Sequence, residues 1–461
     1  MLLRSGLLAV GLSLGARTPV PAASVLRPLR APCANMLRNL STQSARKGPS
    51  SVVSQLRAQP GASFGLGFTS SRSAPSLRAT GRTFSSSSAV LQRLGRIRPK
   101  RIAIPIQGAA EAGALPEPSI VVPIMFSIVF SLLAFAFAAW YTNQETAYWI
   151  SQVKSYSLFT PSNGEINRTK RRTLAAEAQQ TVEELKEKLS GLPHGLQVFI
   201  LRTYIMVKEW QLNQSPAERG PAILFGIMIP VFLAWQIRRN QPFMRKWFTH
   251  FPVVFRGGEP RSCTTMLTSV VSHKDLWHFV FNGVALISFG NAAYVYMAQN
   301  DYSLPTCDDV PQFLAFFAVA GLAASLGSHL YTNVVRLPRL MRALLSPARL
   351  SPANALAAHN AILPSLGASG AIYAMLSMVA LAFPNSHVSI IFLPFIQIPI
   401  GVGVAGMIAL DVVGILRGWK MFDHVAHFCG AMFGVFYFYV GREWFNWLRD
   451  QMGAVKRTWR T

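Results

Sequence analysis

Seven apolar stretches dominate the pattern of hydrophobic and polar positions along the 461-residue chain. The first, from Ile120 to Tyr141, has no charged residue, and a transmembrane helix needs about 20 apolar residues. Because lipid offers the backbone no hydrogen-bond partners, we expect all seven to be α-helices. The other six are predicted at Pro221–Ile237, Leu276–Met297, Gln312–Val335, Ile362–Phe383, Ile398–Leu416 and Met421–Gly441.

A polar insert separates the first span from the other six. Between residues 143 and 220 charges of both signs alternate, and from Thr173 to Leu192 apolar residues recur at helical spacing. This pattern predicts a soluble amphipathic helix or hairpin. We favour a solvated connector; a segment that binds a partner or lies on the membrane is the alternative. A Pro-containing apolar stretch from Asn385 to Pro399 is expected to dip into the membrane between the fifth and sixth spans.

The amino-terminal segment has the composition of a mitochondrial transit peptide. Sixteen Lys and Arg precede the first acidic residue, Glu111, in a stretch rich in Ser, Ala and Leu. The run from Arg82 to Ser86 resembles a matrix-processing site, which predicts a transit peptide over 1–84 and a disordered matrix segment over 85–117. A basic arm for RNA or anionic lipid is the alternative. RNA-binding segments usually interleave aromatic residues, which are few here, so no nucleic acid partner is expected.

Loop charges predict the orientation in the membrane. Seven spans place the termini on opposite sides, and the presequence places the amino terminus in the matrix. The loops 238–275 and 336–361 would then face the matrix, and both are basic, whereas the loop 298–311 carries three Asp and no Lys or Arg. We therefore expect an inner-membrane protein whose carboxy-terminal tail, 442–461, lies in the intermembrane space.

Composition supports a protein surrounded by lipid. Only 14% of residues are charged, against about 25% in soluble proteins. The four cysteines, Cys33, Cys263, Cys307 and Cys429, fit neither a disulfide framework nor a metal motif. No cofactor is expected.

Polar residues inside apolar spans are candidates for function, because placing them in lipid is costly. The run Gly367-Ala368-Ser369-Gly370 opens the fifth span. It would place Ser369 at a helix amino terminus, where free N–H groups favour developing negative charge. Taken alone, the run is equally compatible with a nucleophile and with a small-residue packing interface or helix cap.

The last span opens on two histidines, His424 and His427. Gly430 and Gly434 give this helix a small-xxx-small face that would let it press against the helix of Ser369. His427 would then reach the hydroxyl as general base and later as general acid. A packed structural histidine is one alternative. Zinc is another, but no third ligand has suitable spacing, so no metal is expected.

Two further sets are candidates to support this chemistry. His278 and Asn282 lie four residues apart on one helix face and could donate to an oxyanion, or join helices through polar contacts. His273 precedes that span and is expected to brace the loop there. Asp411 stands alone in the sixth span as a candidate acid behind His427, although we favour a structural role.

These residues together resemble the rhomboid family of intramembrane serine proteases. The resemblance rests on the HxxxN pattern of His278 and Asn282, on GASG around Ser369 and on AHFCG around His427. It is closer to the mitochondrial, presenilin-associated rhomboid-like subfamily. The segments that carry this closer match are Leu366–Ile372, Ile390–Pro394, and Ala409 through Gly418-Trp419-Lys420 to Asp423-His424. One departure is Cys429, where the family often has Gly.

The resemblance covers roughly residues 221 to 445 and implies an all-α polytopic fold. A six-helix rhomboid core over 221–441 would be preceded by one extra transmembrane helix at 118–142, with the polar insert 143–220 between them.

The resemblance also implies a Ser-His dyad without an obligatory aspartate. Ser369 would attack the scissile carbonyl and His427 would take its proton. His278, Asn282 and the Ser369 backbone N–H would hold the oxyanion, supported by Gly367, Gly370 and the residues named above. The implied substrates are single-span mitochondrial membrane proteins; similar proteins process a dynamin-like GTPase or a peroxidase precursor. A catalytically inactive relative is less favoured because both dyad residues are present. A carrier or channel should show internal repeats, and none is evident.

Overall fold

A computed structural model describes residues 118–153, 160–253, 261–299, 304–340, 362–390 and 393–456. The predicted transit peptide, its cleavage site and the segment 85–117 lie outside these residues and stay predictions. The helices are α1 (Val121–Gln152), α2 (Asn163–Lys188), α3 (His194–Asn213), α4 (Pro216–Gln236), α5 (Gln241–Trp247), α6 (Arg261–Thr268), α7 (Leu276–Ala298), α8 (Val310–Tyr331), α9 (Ser369–Ala382), α10 (Ile400–Arg417), α11 (His424–Phe436) and α12 (Arg442–Gln451). Short 3-10 turns span Arg238–Asn240 and Ser269–Val271, and π-helical turns span Thr332–Arg336 and Tyr437–Gly441.

Six helical segments in the described part of the chain are long and apolar enough to cross a membrane. They are α1, α4, α7, α8 with its continuation to Leu340, α10, and the continuous stretch His424–Gln451 that contains α11 and α12. The polytopic helical architecture predicted from the hydrophobic pattern is therefore confirmed.

The fifth predicted span, Ile362–Phe383, is shorter than expected. Residues 362–368 are not helical, and α9 has 14 residues, fewer than the roughly 20 that cross a bilayer. Gly367 adopts φ 127°, a conformation that other residues rarely reach, and the helix starts two residues later. Ten residues of α9 are buried. It packs against α7, α8, α10 and α11, so neighbouring helices rather than lipid surround it.

The extra first helix extends beyond its predicted end at residue 142. α1 continues to Gln152 because its last turns face protein rather than water, with Asn143, Thr146 and Trp149 all buried. It packs against α8 and α12. The opposite face carries exposed apolar side chains, such as those of Leu133 and Phe137, and suits contact with lipid.

The polar insert forms a helical hairpin of α2 and α3. The predicted amphipathic helix at 173–192 starts ten residues earlier. Ser162 caps α2 by accepting from the Glu165 N–H, while the Glu165 carboxylate accepts from the Ser162 N–H at 2.8 Å. A second capping box, between Ser215 and Glu218, starts α4 before the predicted residue 221.

The connection between α9 and α10 contains a β-hairpin, and whether it dips into the membrane stays a prediction. β1 (His387–Ile390) pairs antiparallel with β2 (Leu393–Pro399), with Val388 opposite Ile398. Val, Ile and Phe in this stretch favour strands. The hairpin is a small addition to an otherwise helical fold.

Candidate active site

The turn before α9 is tied to the segment that precedes α7. The Gly367 N–H donates to the Ser269 carbonyl at 2.9 Å, and the Ala368 N–H donates to His273 Nε2 at 3.2 Å. These bonds fix the entry to α9, so that Ser369 is its first residue. Ser369 is half-buried.

His273 was expected to brace the loop before its own span, and the structure shows it bonded to the turn before α9. Its side chain is fully buried. Burial, followed by the neighbouring His278 ring, lowers the pKa of His273 to about 3. The ring is therefore neutral near neutral pH, and its Nε2 lone pair is free to accept the Ala368 N–H.

The two glycines of α11 let it meet α9 at backbone distance. A Cβ on Gly430 would overlap the carbonyl of Gly370, and a Cβ on Gly434 would overlap the carbonyl of Ala374. This is the small-residue face predicted from the sequence. Asp423 caps the start of α11 by accepting from the Ala426 N–H at 3.2 Å.

This close approach brings Ser369 and His427 together. His427 Nε2 lies 2.8 Å from Ser369 Oγ, a hydrogen-bond distance. The Tyr373 ring stacks on the His427 imidazole, with centroids 4.4 Å apart and planes inclined by 12°. Tyr373 was not predicted as a site residue. Its position one helical turn after Ser369 was the signal available, because residues four apart share a helix face.

Asp411 on α10 contacts both histidines through one carboxylate oxygen. Its Oδ1 lies 2.6 Å from His424 Nδ1 and 3.3 Å from His427 Nδ1. Sequence spacing left the reach to His427 open, and the structure places it within reach. If His427 donates from Nδ1, its Nε2 becomes the acceptor for the Ser369 hydroxyl, the tautomer that a general base requires.

Asp411, His424 and His427 could also hold a metal ion. One ligand atom from each lies within 4.8 Å of the others. The sequence argument that no third ligand is available is therefore wrong. Asp411 lies on a different helix from the two histidines, and spacing along the chain does not reveal such a contact.

The predicted oxyanion residues differ in where they point. The His278 ring lies against the turn before α9, since a Cβ on Gly367 would sit 2.7 Å from His278 Cε1. The Asn282 side chain instead donates to the His278 carbonyl of its own helix at 2.8 Å. The structure therefore brings His278 to the turn, while one of the two Asn282 amide N–H groups bonds within its own helix.

Cys429 faces away from the α9 contact. A Cβ on Gly327 of α8 would overlap the Cys429 sulfur, so the thiol occupies the space that this glycine leaves. Gly370 also faces α8, where a Cβ would lie 2.5 Å from the Ala324 Cβ. Small residues on α8 thus accommodate both helices of the site.

Comparison with known proteins points to one family. Residues 260–444 match the Rhomboid domain family. The chain is 30% identical over 237 residues to the presenilin-associated rhomboid-like protein, mitochondrial, of Homo sapiens, covering 51% of this chain and 52% of that protein. It is 28% identical over 216 residues to Rhomboid protein 1, mitochondrial, of Saccharomyces cerevisiae, covering 46% and 51%. It is 27% identical over 227 residues to RHOMBOID-like protein 12, mitochondrial, of Arabidopsis thaliana, covering 49% and 58%. The chain thus spans about half the length of the curated relatives it matches.

Proposed function

We propose that this chain, whose residues 260–444 match the Rhomboid domain family, is a mitochondrial intramembrane serine endopeptidase of that family. Its substrates would be single-span membrane proteins, cut within or beside their transmembrane segments. The observation that carries the proposal is the 2.8 Å contact between His427 Nε2 and Ser369 Oγ, inside a bundle of apolar helices.

The proposed reaction uses Ser369 as nucleophile and His427 as base. His427 Nε2 takes the hydroxyl proton as Oγ attacks the scissile carbonyl, and it then gives that proton to the leaving amine. A water molecule, deprotonated in the same way, hydrolyses the acyl-enzyme and releases the free hydroxyl. Tyr373 and Asp411 hold the imidazole in place from its face and from Nδ1.

The start of α9 supplies stabilisation for the oxyanion. The first N–H groups of a helix have no partner within the helix, and its dipole favours negative charge there. The Ser369 N–H is one of these groups, and His278 lies against the adjoining turn. One N–H of the Asn282 amide donates to the His278 carbonyl, and the amide has a second N–H that could donate to the oxyanion.

The proposed location is the mitochondrial inner membrane. Support comes from the acid-free basic amino-terminal region and from relatives whose names carry the word mitochondrial. The loop charges favour an amino terminus in the matrix and a carboxy terminus in the intermembrane space. In this orientation Ser369 and His427 lie at the matrix ends of their helices.

The experiment compares variants of the full chain, reconstituted in liposomes with a single-span substrate. Ser369→Ala and His427→Ala should each lower cleavage by at least about 10³-fold, because nucleophile and base act as a unit. Ser377→Ala is the matched control, since Ser377 is buried on the same helix two turns further on. It should retain activity within a few-fold. Cleavage by Ser369→Ala at the wild-type rate would refute the proposal.

A second readout tests the nucleophile without a protein substrate. A fluorophosphonate probe should label the wild-type chain at Ser369, and His427→Ala should greatly reduce this labelling because the hydroxyl is no longer activated. Labelling that is unchanged in Ser369→Ala would place the reactive group elsewhere.

A further inference from the structure

The proposed hydrolysis uses His427 as its base, but a second histidine, His424, contacts the same Asp411 oxygen. His424 is 3% exposed, and its Nδ1 is bound to Asp411. Its Nε2 has no hydrogen-bond partner among the residues the structure describes. A second buried imidazole that shares a carboxylate oxygen with the first is not required by a serine-histidine dyad.

Two imidazoles and a carboxylate are a common set of zinc ligands. Asp411 Oδ1 is 3.3 Å from His427 Nδ1. Zn–N and Zn–O bonds of about 2.0–2.1 Å in a tetrahedron place neighbouring ligand atoms about 3.3 Å apart. The 2.6 Å separation from His424 Nδ1 would have to widen by several tenths of an ångström. Each imidazole would present Nδ1, the atom that now meets the carboxylate.

We propose that Asp411, His424 and His427 form an inhibitory zinc site, in which a bound Zn²⁺ prevents His427 from acting as the general base. The inhibitory part rests on the proposed protease function, whereas the binding part does not. The fourth position would hold water, and one carboxylate charge would leave the site with a net charge of +1.

The inhibition follows from where the imidazole proton goes. The proposed mechanism has His427 carry its proton on Nδ1, beside Asp411, and accept from Ser369 at Nε2. When Nδ1 binds Zn²⁺, that proton is released to water and Nε2 takes one up, so the ring stays neutral. The Nε2–H then faces Ser369 Oγ as a donor and cannot accept the hydroxyl proton. His424 shifts its proton from Nδ1 to the unpartnered Nε2 in the same way.

The binding test uses the Ser369→Ala chain, so that its outcome does not depend on proteolysis. Zn²⁺ is titrated into the purified protein in detergent against a chromophoric zinc indicator. One ion per chain is expected, and His424→Gln on this background should weaken binding by at least about 10-fold. His194→Gln, which alters an exposed histidine on α3, should leave it unchanged. Equal affinity in the parent and His424→Gln chains would overturn the site.

Asp411→Asn and Co²⁺ provide a second route should His424→Gln misfold, which thermal unfolding would reveal. The parent chain loaded with Co²⁺ should show the visible absorption of a tetrahedral nitrogen and oxygen site, and Asp411→Asn should lose it. An octahedral spectrum, or one that Asp411→Asn leaves unchanged, would overturn the proposal.

The inhibition test uses the active chain and the liposome assay. Zn²⁺ should suppress cleavage over the concentration range in which it binds, and EDTA should restore it. The residual activity of His424→Gln should need at least about 10-fold more Zn²⁺ for the same suppression. Binding without loss of cleavage would overturn the inhibitory role. Absence of cleavage by the zinc-free wild type would instead refute the proposed function, and the binding result would stand separately.

Discussion

The two ends of the helical bundle are held together by opposite means. At the end that contains Ser369, the glycine end, α9 and α11 meet through glycine and alanine backbones. At the other end, the polar end, buried polar side chains join α1, α2, the segment 304–309 and α12. Arg449 lies 22 residues after His427 on a nearly continuous helix, which separates the two ends by roughly 33 Å at 1.5 Å per residue.

The polar end is organised around Arg449. Arg449 is 1% exposed, and its guanidinium donates to Asn143 Oδ1 at 3.0 Å, Thr306 Oγ1 at 2.7 Å and the Pro305 carbonyl at 2.9 Å. The Asn143 amide in turn donates to the Arg449 carbonyl at 2.9 Å. The last turns of α1 are therefore bonded to α12 by a reciprocal pair.

A second buried cation, Lys170 of α2, ties the insert to the same end. Its Nζ lies 2.6 Å from Glu145 of α1 and 3.6 Å from Asp308. Asp308 also accepts from Arg219, at 3.0 Å. The insert is thus more than a solvated connector at its first helix, because Lys170 is 8% exposed.

The contrast indicates what each end tolerates. The glycine contact leaves no room for a side chain, so any substitution there separates two helices. The polar end depends on side-chain bonds, each of which can be removed singly at a limited cost. Geometry is therefore fixed most rigidly where the proposed chemistry needs it.

Replacing Gly430 should have the largest effect. In Gly430→Val the new side chain would overlap the Gly370 carbonyl, and α11 would have to move away from α9. Because the dyad depends on this contact, cleavage should fall by at least about 10³-fold, as if the base were absent. Gly406→Val is the control, since Gly406 is helical and a Cβ there would have no neighbouring atom within 4 Å. Similar activity in the two variants would contradict the view that this contact sets the dyad.

The glycine contact was predictable because its signals are local. Small residues four apart and a Gly-Ala-Ser-Gly run are visible in the sequence, and each has a physical reason to place helices close together. The start of α9 was not predictable in the same way. Residues 362–368 are apolar enough to continue a span. They are held out of the helix by bonds to Ser269 and His273, about a hundred residues away along the chain.

Removing Arg449 should have the next largest effect, on stability. Arg449→Met keeps much of the apolar stem but leaves the buried oxygens of Asn143, Thr306 and Pro305 without their donor. Unsatisfied buried acceptors cost about 1–3 kcal/mol each. Because the surrounding side chains can partly relax, we expect the free energy of unfolding to fall by about 3 kcal/mol in total. Denaturant titration in detergent measures this loss. Arg417→Met, at an exposed position on α10, should change it by less than about 0.5 kcal/mol. Equal losses would show that the polar end is not held by Arg449.

This polar end was beyond sequence reasoning. Residues 442–461 were predicted as a tail, and residues after 142 as part of a separate insert. Asn143 and Arg449 are 306 positions apart, and neither stands in a pattern that marks a contact. Asp411 was missed as a third metal ligand for the same reason. A polar residue in an apolar helix can be recognised as a functional candidate from the sequence, but the residue that it contacts cannot.

Asp411 contacts His427 at the glycine end. Its replacement tests whether this polar contact positions the imidazole for catalysis rather than stabilising the fold. Asp411→Asn keeps one oxygen that can accept from the two imidazole Nδ1 atoms but removes the negative charge that faces them. We expect kcat to fall about 10- to 100-fold with little change in KM, which corresponds to about 1.4–2.7 kcal/mol in the barrier. Asp450→Asn, which removes a more exposed ion pair with Lys456, should leave kcat unchanged. A rise in KM with kcat unaltered would contradict a positioning role.

Acidification should loosen the turn at Ser369 through His273. Burial lowers the pKa of this side chain to about 3 in the folded protein, against about 6.5 in an unfolded chain. The unfolded state therefore takes up a proton first as the pH falls. The stability contributed by the neutral ring is complete above about pH 6.5 and is lost progressively toward pH 3. Between pH 6.5 and 5.5 the loss should be about 1 kcal/mol.

This loss of stability should appear first at the glycine end of the bundle. His250, which exchanges backbone hydrogen bonds with Ser365 just before the same turn, also has its pKa lowered to about 3 by burial and adds to the dependence on pH. His273→Gln should reduce the slope of unfolding free energy against pH, while Arg449→Met should leave that slope intact. Hydrogen exchange at the Ala368 N–H should rise on acidification before exchange around Asn143 does. Simultaneous loosening of both ends, or an unaltered slope in His273→Gln, would show that protonation acts on the bundle as a whole rather than on the turn that presents the serine.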